Sequence, residues 1–265
     1  MVPARPDVLA LANQKGGVGK TTTAINLGTA LAALGQRVLL IDLDPQGNAS
    51  TGLGIAPSAR TFTAYDLLFS GAIPEFVRTA IPNLSIIPAT PDLSSADLDM
   101  VGDSQRLHKM QRSWAGGGVE NVDYIMIDCP PSLNLLTLNA MVAAQSVLVP
   151  LQCEFFALEG LSQLMRTVQT VRQSSNPGLR IQGIVLTMYD RRNNLSAQVA
   201  ADVRATLGSL VYDTIIPRNV RLSEAPSHGV PALVYDHTSM GSIAYQKLAG
   251  EVLARLQGAR ALERA

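Results

Sequence analysis

The sequence predicts an α/β fold: one doubly wound, mostly parallel β-sheet flanked by helices on both faces. Three observations carry that expectation. Short β-rich apolar runs alternate with helical patterns nearly from end to end, as repeated strand–helix–strand crossovers do. Several of the runs are apolar throughout, which is how a strand reads when helices cover both of its faces. Finally, 265 residues at 47% hydrophobic and 16% charged suffice for a large core. Residues 1–265 are therefore read as one domain, with a core at about 8–256 and short flexible ends.

The elements follow in order. Strands are expected at residues 8–12, 37–42, 84–88, 124–128, 146–151, 181–187 and 211–216, each of the length of a buried strand. A helix is expected over 21–34, closed by Gly35. A second, over 194–207, sets Leu195, Val199, Val203 and Leu207 on one face before Gly208. Residues 52–59 and 115–121, the latter holding Gly116-Gly117-Gly118, read as surface loops.

Composition excludes several function classes. Twenty-one basic residues balance twenty-one acidic ones, so overall charge does not draw the chain to polyanions. No apolar run reaches the length of a membrane span. Residues 1–7 hold two prolines and no apolar stretch, so no signal peptide is expected. Cys129 and Cys153 cannot build a disulfide framework and suit a reducing compartment, which points to the cytoplasm. His108, His228 and His237 show no metal-ligand spacing.

The chemistry concentrates after the first strand, in Gln14-Lys15-Gly16-Gly17-Val18-Gly19-Lys20-Thr21-Thr22. A strand, a glycine-rich turn, then a lysine and hydroxyls at a helix start make a phosphate cradle: backbone N–H groups and the helix N-terminus face the anion. Lys20 then reaches the β- and γ-phosphates of a nucleotide, and Thr21 offers its hydroxyl to Mg²⁺. The ordinary G-x-x-x-x-G-K-[ST] pattern asks for glycine where this chain has Gln14, and the chain adds a second lysine, Lys15.

In that departure the loop resembles the K-G-G-x-G-K-T-T motif of the ParA/MinD family of P-loop ATPases. The resemblance spans essentially residues 8–256 and implies a P-loop NTPase fold with ATP and Mg²⁺ as cofactors. It also implies that Lys15 crosses a dimer interface to the phosphates held by the partner.

Carboxylates complete the pattern. Asp42 and Asp44 close the second strand, where side chains at i and i+2 share a face turned to the ligand crevice. The resemblance assigns Asp44 to the attacking water and Asp42 to the metal's outer shell. The strand ending in Asp128, followed by Cys129-Pro130-Pro131, brings an aspartate beside the phosphate loop that holds Mg²⁺ through water. By resemblance Met188 lies on the adenine side. Pro217, in the late loop that also holds Asn219, packs against the base.

Charge is unevenly spread. Residues 160–221 hold eight arginines against three acids, which allows a local basic face for DNA phosphates. By charge alone these arginines read as a solvated, salt-bridged surface. The resemblance instead implies nonspecific double-stranded DNA binding by an ATP-bound homodimer, through Arg191 and Arg192 and, more weakly, Arg218, Arg221 and Lys247. It further implies a ParB-type centromere-binding partner, a nucleoid-associated location, and segregation of chromosome or plasmid DNA.

Alternatives stand beside this reading. A relative of the same ATPase type positions a non-DNA cargo on the nucleoid. A MinD-like ATPase binds membrane through a C-terminal amphipathic helix; here Leu248, Val252, Leu253 and Leu256 fall at helical spacing, but glycines at 250 and 258 interrupt the tail, so core packing explains the stripe better and no membrane partner is expected. An iron–sulfur reductase would need cluster-ligand loops around Cys129 and Cys153, and neither has the glycine-rich surround.

Overall fold

The computed structural model describes residues 6–73, 75–114 and 117–264. Of the ends expected to be flexible beyond the 8–256 core, residues 1–5 and 265 lie outside that description, as do Ala115 and Gly116 of the glycine loop.

The chain runs β1 (Asp7–Leu11), α1 (Lys20–Ala33), β2 (Val38–Asp42), α2 (Asn48–Gly52), α3 (Ala64–Ser70), β3 (Val77–Arg78), β4 (Leu84–Ile87), α4 (Ala96–Asp99), α5 (Lys109–Ser113), β5 (Tyr124–Asp128), α6 (Leu135–Ala143) and β6 (Ser146–Gln152). It continues through α7 (Ala157–Ser174), β7 (Arg180–Thr187), α8 (Asn194–Leu207), α9 (Val220–Glu224), α10 (Ala232–Tyr235) and α11 (Met240–Arg264). The seven strands form one sheet in the order β3-β4-β2-β5-β1-β6-β7. All pairings are parallel except that of β3 with β4.

The apolar strands divide between two cores. Val8, Ala10, Leu39, Ile41, Ile125, Ile127, Val147 and Val149 face one side of the sheet. Their neighbours Leu9, Leu11, Val38, Leu40, Tyr124, Met126 and Leu148 face the other. Side chains alternate along a strand, so two covered faces demand apolar residues at every position. On the second side lie α1 and α11, where Leu248, Val252 and Leu256 are buried. The stripe on the last helix thus fills the core. Among the described residues, no helix is long and apolar enough to cross a membrane.

Expected and observed strand bounds agree within a residue or two at six places. The exception is residues 211–216, which form no strand. Tyr212 and Ile216 donate backbone N–H groups to Ile184 and Leu186 of β7, at 2.9 and 2.8 Å. The N–H groups of Asp213 and Thr214 between them are taken by the Glu251 carboxylate, each at 2.9 Å. A ladder cannot form when its middle donors are engaged by a side chain. The two-residue strand β3 went unseen because it is too short to carry a pattern.

Register places the site. Asp42 and Asp128 are direct partners across β2 and β5, and Leu11, which leads into the glycine loop, pairs with Asp128 from the other side. The glycine loop and both aspartates therefore meet at the C-terminal rim of the central strands, where ligands bind in open α/β sheets.

Candidate nucleotide and phosphate site

The loop after β1 is anchored at both flanks. The buried Asn13 donates from Nδ2 to the carbonyl of Pro150 at 2.7 Å and accepts the backbone N–H of Lys15 at 3.0 Å. On the far side the Thr187 hydroxyl donates to the carbonyl of Val18 at 2.9 Å. Gly17 and Gly19 adopt left-handed conformations, φ 75° and 85°, a region other residues enter only with strain. Gly19 caps α1, whose first turn points its free N–H groups into the loop.

The two lysines occupy different worlds. Lys20 is 6% exposed, and its Nζ donates to the carbonyl of Lys15 at 3.0 Å. Burial lowers its pKa, and Asp128, Cys129 and Asp44 counter that pull. The Lys15 side chain is 44% exposed and pairs with Glu154, at the end of β6. One cation lies inside the cradle and the other at its lip.

The three predicted carboxylates come together but differ in commitment. Asp42 is fully buried and accepts both the backbone N–H and the hydroxyl of Ser50, at 2.8 and 2.6 Å. Ser50 in turn accepts the N–H of Ala89 at 3.1 Å, so Asp42 ties α2 to the sheet. Burial pushes its carboxyl up to about 6 despite the Ser50 bonds. Asp128 is raised well above the usual range by burial and by Asp42, with Thr21 and Lys20 countering. Neither of its oxygens meets a donor in hydrogen-bonding geometry among the described residues, although the Thr21 hydroxyl stands close enough to act on it. Asp44 is half-buried at the mouth, its Oδ1 accepting the N–H of Gln46 at 3.0 Å.

An unsatisfied buried carboxylate beside a threonine hydroxyl fits a hydrated divalent cation, because buried polar atoms ordinarily have partners. Among the described residues no group of three His, Cys, Asp or Glu forms a cage. Mg²⁺ does not require one, since phosphates and waters supply most of its ligands.

The raised carboxyl of Asp42 has a measurable consequence. Its unfolded value is near 3.8 and its folded value about 6, so the folded chain holds a proton that the unfolded chain has released. The stability contributed by that proton is present below pH 4 and is lost as pH rises through 6. Asp42→Asn, neutral throughout, is therefore expected to stabilise the nucleotide-free chain at pH 7.5, by on the order of 3 kcal/mol, and so to raise its melting temperature. The gain should shrink as pH is lowered toward 5; thermal melts across that range provide the check, and a gain that grows on acidification would contradict it.

A cleft of about 500 Å³ continues from Gly19, Thr21 and Thr22 to Met188, Pro217 and Asn219. The phosphate loop and the predicted base contacts thus share one cavity. Met188 takes a left-handed φ of 52°, and the N–H groups of Tyr189 and Arg218 bond to Ile216 and Tyr189 at 3.1 and 2.9 Å, setting Pro217 opposite the strand end.

Arg191, Arg192, Arg218 and Lys247 line a second cleft of about 800 Å³ on the same rim. Arg192 is held in a two-pronged pair by Asp190, at 3.0 and 2.9 Å, and that guanidinium holds the Asp190 carboxyl down to about 2. Arg221 stands apart, engaged by Glu224 and Asp236 at 2.8 and 3.3 Å.

Both cysteines are buried. Burial pushes the Cys129 thiol up, and the Cys153 thiol up to about 11; such thiols behave as small apolar residues.

Sequence reading missed Ser50, Arg60 and Glu154. Arg60 donates to the carbonyls of Ile55 and Ala89 and to the Thr51 hydroxyl, at 3.3 and 3.1, 2.8, and 3.1 Å, strapping the segment behind Asp44. Glu154 stands two residues past the end of β6 on the ligand rim, a position that sequence could have marked. Ser50 and Arg60 carry no local signal.

Comparison with known proteins agrees with this geometry. A family model described as an AAA domain matches residues 6–181. The chain is 61% identical over 251 residues to the chromosome partitioning protein ParA of Caulobacter vibrioides, covering 94% of each. It is 51% identical over 249 residues to the sporulation initiation inhibitor protein Soj of Bacillus subtilis, covering 93% of this chain and 98% of that one. Among solved structures, cobyrinic acid a,c-diamide synthase from Mycobacterium smegmatis with a bound ATP analog and magnesium superposes with a TM-score of 0.81 at 38% identity, covering 96% of each chain.

Proposed function

The chain belongs to the ParA/Soj family of chromosome-partitioning ATPases, and from that premise we propose that ATP closes two copies into a dimer that binds DNA without regard to sequence. It is a P-loop ATPase that uses ATP and Mg²⁺. The observation that carries the reading is the division between the two lysines: Lys20 is buried in the cradle, while Lys15 lies exposed at its lip.

Each residue has a task. Backbone N–H groups from Gly16 to Thr22 hold the phosphates, and Lys20 balances the charge on the β- and γ-groups. Thr21, with Asp128 and Asp42 through water, would hold Mg²⁺, which when bound neutralises charge on the phosphates. Met188, Pro217 and Asn219 receive the base. Lys15 leaves Glu154 and reaches the phosphates held by the second copy. Asp44 orients the water that attacks the γ-phosphorus, ADP leaves, and inorganic phosphate carries off the negative charge that had attracted Lys15. The dimer then separates.

The closed dimer presents two copies of the rim bearing Arg191, Arg192, Arg218 and Lys247. Two linked patches bind through raised effective concentration, so dimerisation acts as the DNA switch. Arg221, engaged by Glu224 and Asp236 and not among the residues that line that cleft, contributes least. A ParB-type partner speeds hydrolysis and thereby release from the nucleoid. The apolar stripe of α11 is spent in the core, and no membrane partner is proposed.

DNA binding measured with ATP, with ADP and without nucleotide, at two salt concentrations, tests the scheme. Binding should appear only with ATP and fall steeply with salt. Arg192→Glu is expected to weaken DNA binding by at least about tenfold and to lower the salt slope by about two, one phosphate contact per copy, with nucleotide-dependent dimerisation intact. Equal binding by wild type and variant would place the DNA surface elsewhere.

A further inference from the structure

We propose that Arg60 is a positioning residue for turnover: its guanidinium sets the turn that carries Asp44, without itself touching the nucleotide. The inference rests on the reading of Asp44 as the group that orients the attacking water, and adds what holds that group in place.

Asp44 opens a tight turn. Its carbonyl accepts the N–H of Gly47 at 2.9 Å, and its Oδ1 accepts the N–H of Gln46 at 3.0 Å. Gly47 takes a left-handed φ of 61° and caps α2, whose Thr51 N–H bonds back to the Gly47 carbonyl at 3.0 Å. The Asp44 carboxylate is therefore only as well placed as Gly47 and α2.

Arg60 fixes both. A Cβ added at Gly47 would lie 2.7 Å from Nη1 of Arg60, so the guanidinium occupies the space that any other residue at 47 would need. The same Nη1 donates to the carbonyl of Ala89 at 2.8 Å. Nη2 donates to the Thr51 hydroxyl and to the carbonyl of Ile55, each at 3.1 Å, and Nε reaches that carbonyl at 3.3 Å. Ala89, two residues past β4, is held at its N–H as well, by the Ser50 hydroxyl at 3.1 Å. Ser50 in turn donates to Asp42. The short helix is thus clasped through Ser50 on one side and Thr51 on the other.

The acceptors are two carbonyls and a hydroxyl, so the guanidinium supplies geometry here rather than charge neutralisation. Three acceptors in different directions suit the planar fork of arginine, which the single ammonium of lysine does not reproduce. Asn48, Thr51 and Gly52 line the nucleotide cleft, and Arg60 is not among its lining residues. Its influence on the chemistry therefore passes through the turn. A reacting group misplaced by about 1 Å can cost about 100-fold in rate; Asp44 keeps its own two turn bonds, so loss of the clasp is expected to cost about tenfold.

The test is phosphate release from saturating radiolabelled ATP by wild type, Arg60→Ala, Asp44→Ala and the double variant, with ATP affinity read on each by titration calorimetry. Arg60→Ala should release phosphate about tenfold more slowly, with affinity within about threefold of wild type. Because Arg60 acts through Asp44, the double variant should be no slower than Asp44→Ala alone, whereas independent losses would multiply. A residue that merely held the fold would slow the Asp44→Ala chain as well. Arg60→Lys, which keeps the charge and loses the fork, should be slowed like the alanine variant, and it takes over the comparison where Arg60→Ala does not fold.

A wild-type rate for the Arg60 variants beside a slow Asp44→Ala overturns the clasp and leaves the role of Asp44 standing. A double variant about tenfold slower than Asp44→Ala also overturns the clasp, as does an Arg60 variant whose ATP affinity falls in step with its rate. A wild-type rate for Asp44→Ala overturns both.

Discussion

Replacing Lys20 with alanine is expected to weaken ATP binding by about 100-fold or more, read by titration calorimetry. The size follows from the site. Lys20 is buried at the start of α1, so its contacts to phosphate form where water does not compete, and truncating one partner of such a charged pair costs about 2–5 kcal/mol. Each 1.4 kcal/mol is tenfold in affinity. Lys15 of the same chain does not take over in the monomer, since it is drawn to Glu154 at the lip. In the ligand-free chain the alanine also removes the positive charge that opposes the rise of the Asp128 carboxyl, so that carboxyl should climb further. Affinity within about threefold of wild type would remove Lys20 from the cradle.

The second large effect is on turnover. Asp44→Ala should lower the rate of phosphate release by about 10²–10⁴, the range for losing a group that positions and polarises a reacting water. ATP affinity should change by less than about threefold, and the nucleotide-bound dimer should persist rather than cycle. The assignment to Asp44 rather than Asp42 has a structural basis. Asp42 spends one oxygen on two bonds from Ser50 and is fully buried behind the mouth, whereas Asp44 stands half-buried at it. Phosphate release at the wild-type rate would transfer the role to another residue; loss of ATP binding would mean that Asp44 acts on the ground state.

The legible parts of the protein were those whose physics is local. Gly17 and Gly19 stand at left-handed backbone positions that only glycine fills without strain, so their spacing is visible in the chain. Asp42 and Asp128 end apolar runs, and parallel pairing brings strand ends to one rim whatever the strand order. The failure at residues 211–216 has the opposite origin. Their composition is that of a strand, but Glu251, 38 residues after Asp213, takes the donors a ladder would use. A contact at that separation leaves no periodic trace.

The sequence by itself determined the strand–helix alternation, the phosphate loop with its two lysines, and the aspartates that end β2 and β5, because each depends on residues close along the chain. Tertiary structure alone decided that Lys15 pairs with Glu154, that Ser50 claims Asp42 while Asp128 stays unsatisfied, and that Arg60 packs against the turn after Asp44. Those outcomes depend on which strands become neighbours and on how side chains far apart in the chain compete for the same donors, acceptors and space, and folding settles that competition only when the whole sheet has closed.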